Sequence, residues 1–351
     1  MNFFQILLFP FAIIYDIITR FRNHLFDIGY MKSMKFDVPV VSVGNIIAGG
    51  SGKTPMVEYL INLLSREHHV CTLSRGYGRR TRGFRLVNEN DSALTVGDEP
   101  LQIFQKFQPK IQVAVGEERV TAVPEILFYK PETNLIILDD AFQHRYVTPH
   151  FSILLTEYSR PFYTDFVLPS GLLREARKGA KRADLIVVTK CPDTLEKKEA
   201  KAIAGKVHKY AKGKNVFFSG IEYGDLISFS GKEIRKTNQL ILVSGIGNPQ
   251  PFQAYLNKNF ELIDSIRFPD HYKFRESDVQ KIIDMARSFK NKISVVTTEK
   301  DFVRLKPFQK MISESGIDFC YIPIECDFLF EKNKFDKMVS DAIIAVKRKD
   351  Y

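Results

Sequence analysis

A glycine-rich segment near the amino terminus places the strongest constraint on this chain of 351 residues. An apolar run, Val40 to Val43, leads into the glycines and then into Gly52-Lys53-Thr54, and Met56 to Leu64 follows with the apolar spacing of a helix. Backbone N–H groups of such a turn can surround phosphate oxygens, while the lysine adds positive charge and the threonine hydroxyl can bind Mg²⁺. The segment therefore predicts a nucleotide-phosphate site.

The spacing of this loop departs from the usual pattern G-x-x-x-x-G-K-[ST]. That pattern would place a glycine at position 47, where the chain has Ile47, and we expect Gly49 and Gly50 to supply the turn instead. An ordinary strand-to-helix turn is the alternative, but the strand before the loop and the helix after it favour phosphate binding. The predicted nucleotide-binding residues are Gly49, Gly50, Ser51, Gly52, Lys53 and Thr54.

Composition narrows the class of protein and its partners. A hydrophobic content of 44% with 26% charged residues is typical of a folded chain, and the length favours two domains. The formal net charge of +10 favours polyanionic partners, but the basic residues are spread out and no nucleic-acid recognition motif occurs, so we expect no nucleic-acid partner. Four scattered cysteines indicate neither a disulfide framework nor a zinc site, which fits a reducing cytoplasm.

Residues 1–30 begin with a long apolar run, Phe3 to Ile18, followed by Arg20 and Arg22. A secretory signal would place its basic residues before the apolar run, and a membrane span needs about 20 apolar residues, so both readings are weakened. An interfacial helix accounts for more, with its apolar face among lipid chains and its arginines near anionic head groups. The alternative is a helix buried against the next domain. We expect contact with a membrane surface.

Short apolar runs alternate with helical patterns from residue 36 onward, which predicts an α/β fold with a mostly parallel sheet. We expect a core like that of P-loop NTPases in residues 31–214. Ligands of such sheets bind where the strands end, so segments 44–54, 74–78 and 139–145 should converge. The predicted strands are Val38 to Val43, Val70 to Leu73, Ile111 to Val115, Leu135 to Leu138, Phe151 to Leu155 and Leu185 to Val188.

The chain changes character after residue 214. Two short apolar runs, 216–218 and 226–229, predict a hairpin-like β connector over residues 215–236. A second, smaller α/β domain is expected over residues 237–351, because strand and helix patterns alternate again there.

Two carboxylates follow the apolar run Leu135 to Leu138. Phosphate-loop enzymes place such a group opposite the loop threonine to hold Mg²⁺, and we assign Asp139 to this role. For Asp140, a helix cap or an ion pair competes with a contact to substrate. Gln143 and His144 come next and can donate hydrogen bonds to phosphate or sugar oxygens.

Further polar residues follow other predicted strands. Arg75 and Arg119 lie at the expected functional edge of the sheet, where an arginine can pair with phosphate. Asp98 is placed to cap a helix, and the same carboxylate could accept a hydroxyl proton, while Glu99 could bind metal. His271 follows Pro269-Asp270 in the second half of the chain. The residue pattern alone leaves the roles of these acids open.

Eight motifs in this order resemble the tetraacyldisaccharide 4'-kinase family, also called lipid A 4'-kinases, and the resemblance covers nearly the whole chain. The motifs are Gly44-Asn45 with Gly49-Gly50-Ser51-Gly52-Lys53-Thr54-Pro55, Ser74-Arg75-Gly76-Tyr77, Gly97-Asp98-Glu99-Pro100, Asp139-Asp140-Ala141-Phe142-Gln143-His144, Leu168-Pro169-Ser170-Gly171-Leu172-Leu173-Arg174-Glu175, Gly245-Ile246-Gly247-Asn248-Pro249, Phe268-Pro269-Asp270-His271 and Thr298-Glu299-Lys300-Asp301.

The resemblance implies ATP-dependent phosphorylation of the 4'-hydroxyl of a tetraacylated glucosamine disaccharide 1-phosphate, giving lipid IVA. It also implies a location at the cytoplasmic face of the inner membrane of a Gram-negative bacterium. Asp98, paired with His271, would accept the hydroxyl proton, and Lys53 would neutralise phosphate charge. The other implied site residues are Thr54, Asp139 and Glu99 for Mg²⁺, and Arg75, Arg119, Asp140, Gln143 and His144 for phosphate or sugar.

A membrane-associated nucleotide switch is the alternative function, in which binding of ATP or GTP drives association without phosphorylating a small molecule. Residues Thr189-Lys190-Cys191-Pro192-Asp193 are similar to the guanine-reading pattern T-K-x-D, but one extra residue spoils the spacing.

Overall fold

The computed structural model describes residues 3–229, 239–289 and 293–347, and these ranges form two β-sheets covered by helices. The strands of the described ranges are β1 (Val40–Asn45), β2 (Val70–Ser74), β3 (Arg85–Leu86), β4 (Gln112–Val115), β5 (Leu135–Asp139), β6 (Phe151–Glu157), β7 (Leu185–Thr189), β8 (Asn215–Tyr223), β9 (Ile227–Ser228), β10 (Gln239–Ser244), β11 (Glu261–Arg267), β12 (Ser294–Thr298), β13 (Asp318–Ile322) and β14 (Ile324–Phe328).

Helices cover both sheets. They are α1 (Phe3–Asp27), α2 (Lys53–Leu64), α3 (Ala93–Val96), α4 (Asp98–Phe107), α5 (Arg119–Tyr129), α6 (Lys197–His208), α7 (Gln250–Asn259), α8 (Glu276–Ser288), α9 (Glu299–Leu305), α10 (Gln309–Glu314) and α11 (Lys332–Lys347), with short 3₁₀ helices at Arg177–Arg182 and Lys306–Phe308.

The first sheet has, within the described ranges, the strand order β14-β8-β7-β6-β1-β5-β2-β4-β3. The strands from β8 to β4 run parallel, and β14 and β3 are antiparallel edges. Strands β1, β5, β6 and β7 are buried along their whole length, as expected for a parallel sheet with helices on both faces. This architecture confirms the predicted α/β, P-loop-like fold.

The register of β1 places the glycine-rich loop beside the acidic pair. Val43 lies opposite Asp139 of β5, and Gly44 lies opposite Leu154 of β6. A Cβ on Gly44 would lie 2.8 Å from Cβ of Phe142, so only glycine fits where the loop after β5 crosses β1. The loops that follow these strands therefore leave the sheet together at one edge.

The second sheet has, in the described part of the chain, the order β11-β10-β12-β13-β9, with β9 antiparallel and the other strands parallel. Its core includes Val243, Val295 and Phe319 from the strands and Ile282 from α8. Strands and helices alternate in this part of the chain, as the sequence pattern predicts.

The predicted hairpin over residues 215–236 is wrong in its pairing, as far as the described residues reach. Strand β8 pairs with β7 and β14 in the first sheet, whereas β9 pairs with β13 in the second. The two strands of the expected hairpin thus belong to different sheets. An apolar pattern indicates a strand but does not identify its partner. Residues 230–236 of the predicted connector lie outside the described residues.

The carboxyl-terminal part of the chain packs against the first sheet. The sequence analysis expected all of residues 237–351 to form the second domain. Strand β14 pairs with β8, and α11 packs on the core of the first sheet. Phe335 of α11 is fully buried, with its ring centroid 5.4 Å from that of Phe217 and 5.8 Å from that of Tyr59. The expected boundary was wrong here because α11 has an ordinary amphipathic pattern. Such a pattern shows that one face is buried but does not identify the core against which it packs.

Helix α1 presents most of its apolar side chains to the outside. By length and composition it could cross a membrane, and only 6% of its most apolar 18-residue window is buried. Ala12 and Phe26 are its buried residues. The exposed apolar side chains are those of Phe3, Phe4, Ile6, Leu7, Phe9, Phe11, Ile13, Ile14, Ile17, Ile18 and Phe21. The alternative of a helix buried in the core is therefore wrong.

We predict that Phe335→Ala lowers the free energy of unfolding by about 3–5 kcal/mol, because it opens a cavity among buried rings. Ile344→Ala is the matched control on the outer side of the same helix, and it should cost less than about 1 kcal/mol. Urea denaturation measures both values. Equal costs for the two variants would show that α11 does not complete the first core.

Candidate functional site

The glycine-rich loop joins β1 to α2 and is shaped by two glycines with positive φ, Gly49 at 114° and Gly52 at 77°. A side chain would strain the backbone at both positions. Ile47 stands where the usual spacing has glycine, and it is buried in an apolar cluster with Phe142 and Leu173. The turn is thus made two residues later than in the usual pattern, and position 47 serves the core.

Lys53 and Thr54 form the first turn of α2, directly after the loop. The Lys53 ammonium lies 3.6 Å from Oδ1 of Asp140, and Thr54 is buried. The amino terminus of a helix carries positive partial charge and free N–H groups, so it favours phosphate. The loop, the lysine and the helix start therefore provide an anion site facing the end of β5.

Asp139 is buried at the end of β5, and its Oδ1 is a buried oxygen with no hydrogen-bond partner among the described residues. Burial, together with the charges of Glu99 and Asp140, raises the pKa of Asp139 to about 7. An unpartnered buried carboxylate oxygen is costly unless a cation or a donor reaches it. The side chains thus fit a divalent cation at this position.

No group of three His, Cys, Asp or Glu side chains among the described residues is arranged to hold a metal ion unaided. Mg²⁺ at nucleotide sites uses one or two protein oxygens and completes its shell with phosphate and water. Asp139 and Thr54 suit that pattern. Glu99 is ion-paired with Lys300 through Oε1, and this pairing lowers the pKa of Glu99 to about 2. Of the three residues predicted to bind the metal, Thr54 and Asp139 are therefore more available as oxygen ligands than Glu99.

Asp98 is held at the amino terminus of α4 by residues from the second sheet. Its Oδ2 lies 3.1 Å from Nδ1 of His271 and accepts a hydrogen bond of 2.7 Å from Nε of Arg304. Burial opposes ionisation of Asp98, but the His271 hydrogen bond and the Arg304 charge outweigh it and lower its pKa. The structure thus brings together the predicted pair, and Asp98 is a carboxylate at neutral pH.

Arg304 is the residue that sequence reasoning missed. It is buried in α9 and donates to Oδ1 of Asp301 and to the carbonyl of Gly245, each at 2.8 Å. Its Nη2 lies 3.2 Å from Nδ1 of His271. An arginine inside an amphipathic helix usually indicates a solvated face. Its spacing of three residues from Asp301 was the available signal, since such pairs share a helix face.

His271 has a left-handed backbone, with φ at 56°. Its backbone N–H donates to the carbonyl of Gly245 at 3.2 Å, and its ring contacts Tyr77 edge to face at 5.4 Å. A non-glycine residue in this conformation is strained and persists where surrounding contacts hold it. The loop after β11 is therefore fixed with its imidazole against Asp98.

Asp140 and Gln143 lie beside Lys53 on the other side of the loop. Arg174 donates to both carboxylate oxygens of Asp140, at 3.1 and 3.2 Å. Gln143 donates to the backbone carbonyl of Asn45 at 2.7 Å. Arg174 appears in the sequence analysis only within a motif, yet its Nη1 lies 3.1 Å from Oδ1 of Asp140, closer than the ammonium of Lys53 at 3.6 Å.

The remaining predicted residues form a basic group near the same edge. Arg119 is buried, which lowers its pKa to about 10, and the charges of Asp139 and Asp140 oppose this shift. Burial and the charges of Arg119, Arg22 and Arg75 lower the pKa of His144 to about 4. His144 is thus neutral at pH 7. The side chains of Arg75 and Arg22 are close enough to influence it although Arg75 is exposed.

Helix α1 is fastened to this edge by polar contacts. Arg22 donates to the backbone carbonyl of Gln143 at 2.6 Å, and Asn23 donates to Glu175 at 2.9 Å. The hydroxyl of Tyr15 donates to the backbone carbonyl of Arg174 at 3.2 Å. The polar face of α1 therefore lies against the site and its apolar face points away.

A family model described as tetraacyldisaccharide-1-P 4'-kinase, LpxK, matches residues 4–344. The chain belongs to this family. Two relatives named tetraacyldisaccharide 4'-kinase are those of Flavobacterium johnsoniae, 44% identical over 96% of each chain, and Flavobacterium psychrophilum, 45% identical over 97% of each.

A solved structure supports the same assignment. LpxK from Aquifex aeolicus, in complex with ATP, superposes with a TM-score of 0.76 at 30% identity and covers 97% of this chain and 99% of its own. The resemblance read from the motifs is thereby confirmed, as are the kinase class and ATP as the nucleotide of the family. The kinase family belongs to lipid A synthesis, a bacterial membrane pathway.

Behind the catalytic edge of this kinase, a buried polar cluster joins α2, α4 and α9. Glu58 of α2 accepts hydrogen bonds from Gln102 at 2.9 Å and Lys106 at 2.7 Å. Lys106 also reaches Glu299 of α9 at 3.3 Å. Burial, and then the charge of Glu299, raise the pKa of Glu58 to about 7, against the effect of Lys106. The ammonium of Lys106 is thus paired with two buried carboxylates, those of Glu58 and Glu299.

Glu58→Gln should change how stability depends on pH. The folded protein holds an extra proton on Glu58 between the ordinary pKa of 4.5 and about 7, so its free energy of unfolding falls as pH rises through that window. The Glu58→Gln variant has no carboxyl group at this position, so its free energy of unfolding does not fall for this reason. We therefore expect its stability relative to the parent to improve by about 2–3 kcal/mol between pH 5 and pH 8.

Urea denaturation at several pH values measures this difference. Glu67→Gln is the control, because it removes an exposed carboxylate just beyond α2. A constant difference between Glu58→Gln and the parent across this pH range would contradict the prediction.

Proposed function

We propose that this protein transfers the γ-phosphate of ATP to the 4'-hydroxyl of tetraacyldisaccharide 1-phosphate, giving lipid IVA, at the cytoplasmic face of the bacterial inner membrane. The observation that carries the proposal is the Asp98–His271 pair, fixed by Arg304, together with the phosphate loop and a buried Asp139 whose Oδ1 has no hydrogen-bond partner among the described residues. Family membership supports the reaction class, and this geometry supports the proposed residue roles.

The phosphate loop and Lys53 bind the triphosphate of ATP, the phosphate donor. Backbone N–H groups of residues 49–54 surround the β- and γ-phosphates, and the ammonium of Lys53 neutralises their charge. Thr54 and Asp139 would hold Mg²⁺, with Glu99 assisting as a nearby second acid. The ion would supply further charge neutralisation on the phosphates. Phosphoryl transfer depends chiefly on such positioning and charge stabilisation.

Asp98 acts as the general base. Both contacts described for its carboxylate are made to Oδ2, so Oδ1 is the oxygen available to the acceptor hydroxyl. Its lowered pKa makes it a weak base, which suits a loose transition state in which the proton moves late. His271 and Arg304 hold the carboxylate in place.

The acceptor is placed by the basic edge next to α1. Arg75, Arg119, Gln143 and His144 are proposed to contact phosphate or sugar oxygens, together with Asp140. Charge supports this assignment, since several arginines face a substrate that carries a phosphate. The neutral imidazole of His144 has a buried Nε2 with no hydrogen-bond partner among the described residues.

The apolar face of α1 is proposed to lie in the lipid interface. Eleven large apolar side chains from Phe3 to Phe21 are exposed on a helix whose polar face is bound to the protein. Transferring apolar surface from water to lipid is favourable at roughly 25 cal/mol per Å². A lipid substrate in the same membrane would then reach the site beside α1 without leaving the bilayer surface.

Asp98→Asn should reduce the rate of transfer to the lipid acceptor by about 10²–10⁴-fold, the usual contribution of a general base. The affinity for Mg-ATP should change little, because Asp98 lies outside the phosphate loop. Radiolabelled ATP and calorimetry measure the two quantities. Hydrolysis of ATP without transfer by the parent protein, even with the lipid present, would instead favour a nucleotide switch.

The double variant Ile14→Glu/Ile18→Glu should weaken association with anionic lipid vesicles by at least about tenfold, because it places charge on the face that enters the interface. Lys201→Gln/Lys209→Gln makes the same change in net charge at exposed positions in α6 and directly after it, and should have a smaller effect. Vesicle sedimentation measures both. Identical partitioning of the two variants would remove the proposed role of the helix.

A further inference from the structure

The loop that follows β7 carries a motif, Thr189-Lys190, to which the proposed reaction gives no role. Its side chains contact the outer side of the phosphate loop. The ammonium of Lys190 donates to the carbonyl of Gly50 at 2.5 Å, and the hydroxyl of Thr189 donates to the carbonyl of Ser51 at 2.9 Å. Both contacts are to backbone carbonyls of the loop that binds phosphate in the proposed function.

A third group completes this arrangement from the strand that precedes the loop. Nδ2 of Asn45 lies 2.7 Å from Oγ of Ser51 and 3.4 Å from the carbonyl of Gly49. Three consecutive carbonyls, from residues 49 to 51, therefore each accept a hydrogen bond from a side chain outside the loop. Because the C=O and N–H groups of a peptide backbone point in opposite directions, holding the carbonyls outward favours N–H groups directed inward.

Lys190 is itself held in place. Its ammonium lies 3.3 Å from the carboxylate of Glu157, a largely buried residue at the end of β6. Its backbone is left-handed, with φ at 55°, a conformation that is strained for a residue with a side chain. The backbone N–H of Tyr158 donates to the carbonyl of Thr189 at 2.9 Å, next to this strained position. Strain of this kind is typical of functional positions.

We infer that Lys190, anchored by Glu157, is a positioning residue that holds the phosphate loop in its nucleotide-binding conformation before the nucleotide arrives. The inference rests on the proposed function for the identity of the ligand, the triphosphate of ATP. Without Lys190, the exposed and glycine-rich turn at Gly49 and Gly50 must be ordered by the nucleotide itself. That ordering lowers affinity, whereas the reacting groups at Asp98 and Asp139 are unaffected.

Lys190→Met tests the inference, with Arg160→Met as its matched control. Arg160 is a neighbouring cation, 3.9 Å from the same Glu157, and no hydrogen bond from it to a loop carbonyl is among the contacts of the described residues. Both variants remove one positive charge near the loop, and only the first removes a carbonyl contact. Lys190→Arg keeps the charge and the donors and should restore binding.

Calorimetry with Mg-ATP should show a dissociation constant about tenfold higher for Lys190→Met, the loss expected for one charge-assisted hydrogen bond. Arg160→Met and Lys190→Arg should stay within about threefold of the parent, and kcat at saturating ATP should change less than about threefold in all three. In the nucleotide-free protein, amide hydrogen exchange of residues 48–52 should become faster in Lys190→Met alone.

Two results would overturn the inference: unchanged affinity and exchange in Lys190→Met, or an equal loss in Arg160→Met, which would indicate a general effect of charge. Thermal unfolding of each variant identifies any loss of fold. Failure of the parent protein to bind Mg-ATP would instead refute the proposed function, so the two failures are distinguishable.

Discussion

The contacts of Arg304 connect the two parts of the catalytic apparatus. One guanidinium, buried in a helix of the second sheet, bonds Asp98 at the start of α4, Asp301 on its own helix and the carbonyl of Gly245. A planar group with five donors can satisfy these partners together, which a lysine could not. Asp98, the proposed general base, and His271 therefore come from parts of the chain that belong to different sheets, and a single cation contacts both.

Much of the first sheet could be predicted from the sequence, because buried parallel strands are continuous apolar runs of a length that few other elements share. Pairing could not be predicted. The runs around residues 217 and 227 suggested one hairpin, yet the structure gives them to separate sheets. Likewise, β14 and α11 return to the first core from the far end of the chain, and their local patterns contain no information about that long-range contact.

Part of the candidate site could likewise be predicted from the sequence, and part could not. Gly49 to Thr54 were predictable from chemistry because the loop, its lysine and its threonine are adjacent in sequence. The pair of Asp98 and His271 is separated by 173 residues, and it was suggested only by the family resemblance. Arg304 was missed because burial, which gives the residue its role, is a property of the folded chain. The motif at Thr189 was noticed for a different reason, its likeness to a guanine-reading pattern.

The polar contacts between α1 and the kinase core would determine how the proposed lipid substrate is presented to the site. Arg22 and Asn23 bond directly to residues 143 and 175, close to the groups that flank Asp140. If α1 lies in the lipid interface as proposed, side chains of fixed length would set the height of the reacting centre above that interface. An acceptor whose hydroxyl projects from the bilayer by a different distance would miss the γ-phosphate, whatever its affinity for the basic edge. The helix would in this way select substrates by how far their sugars extend from the membrane.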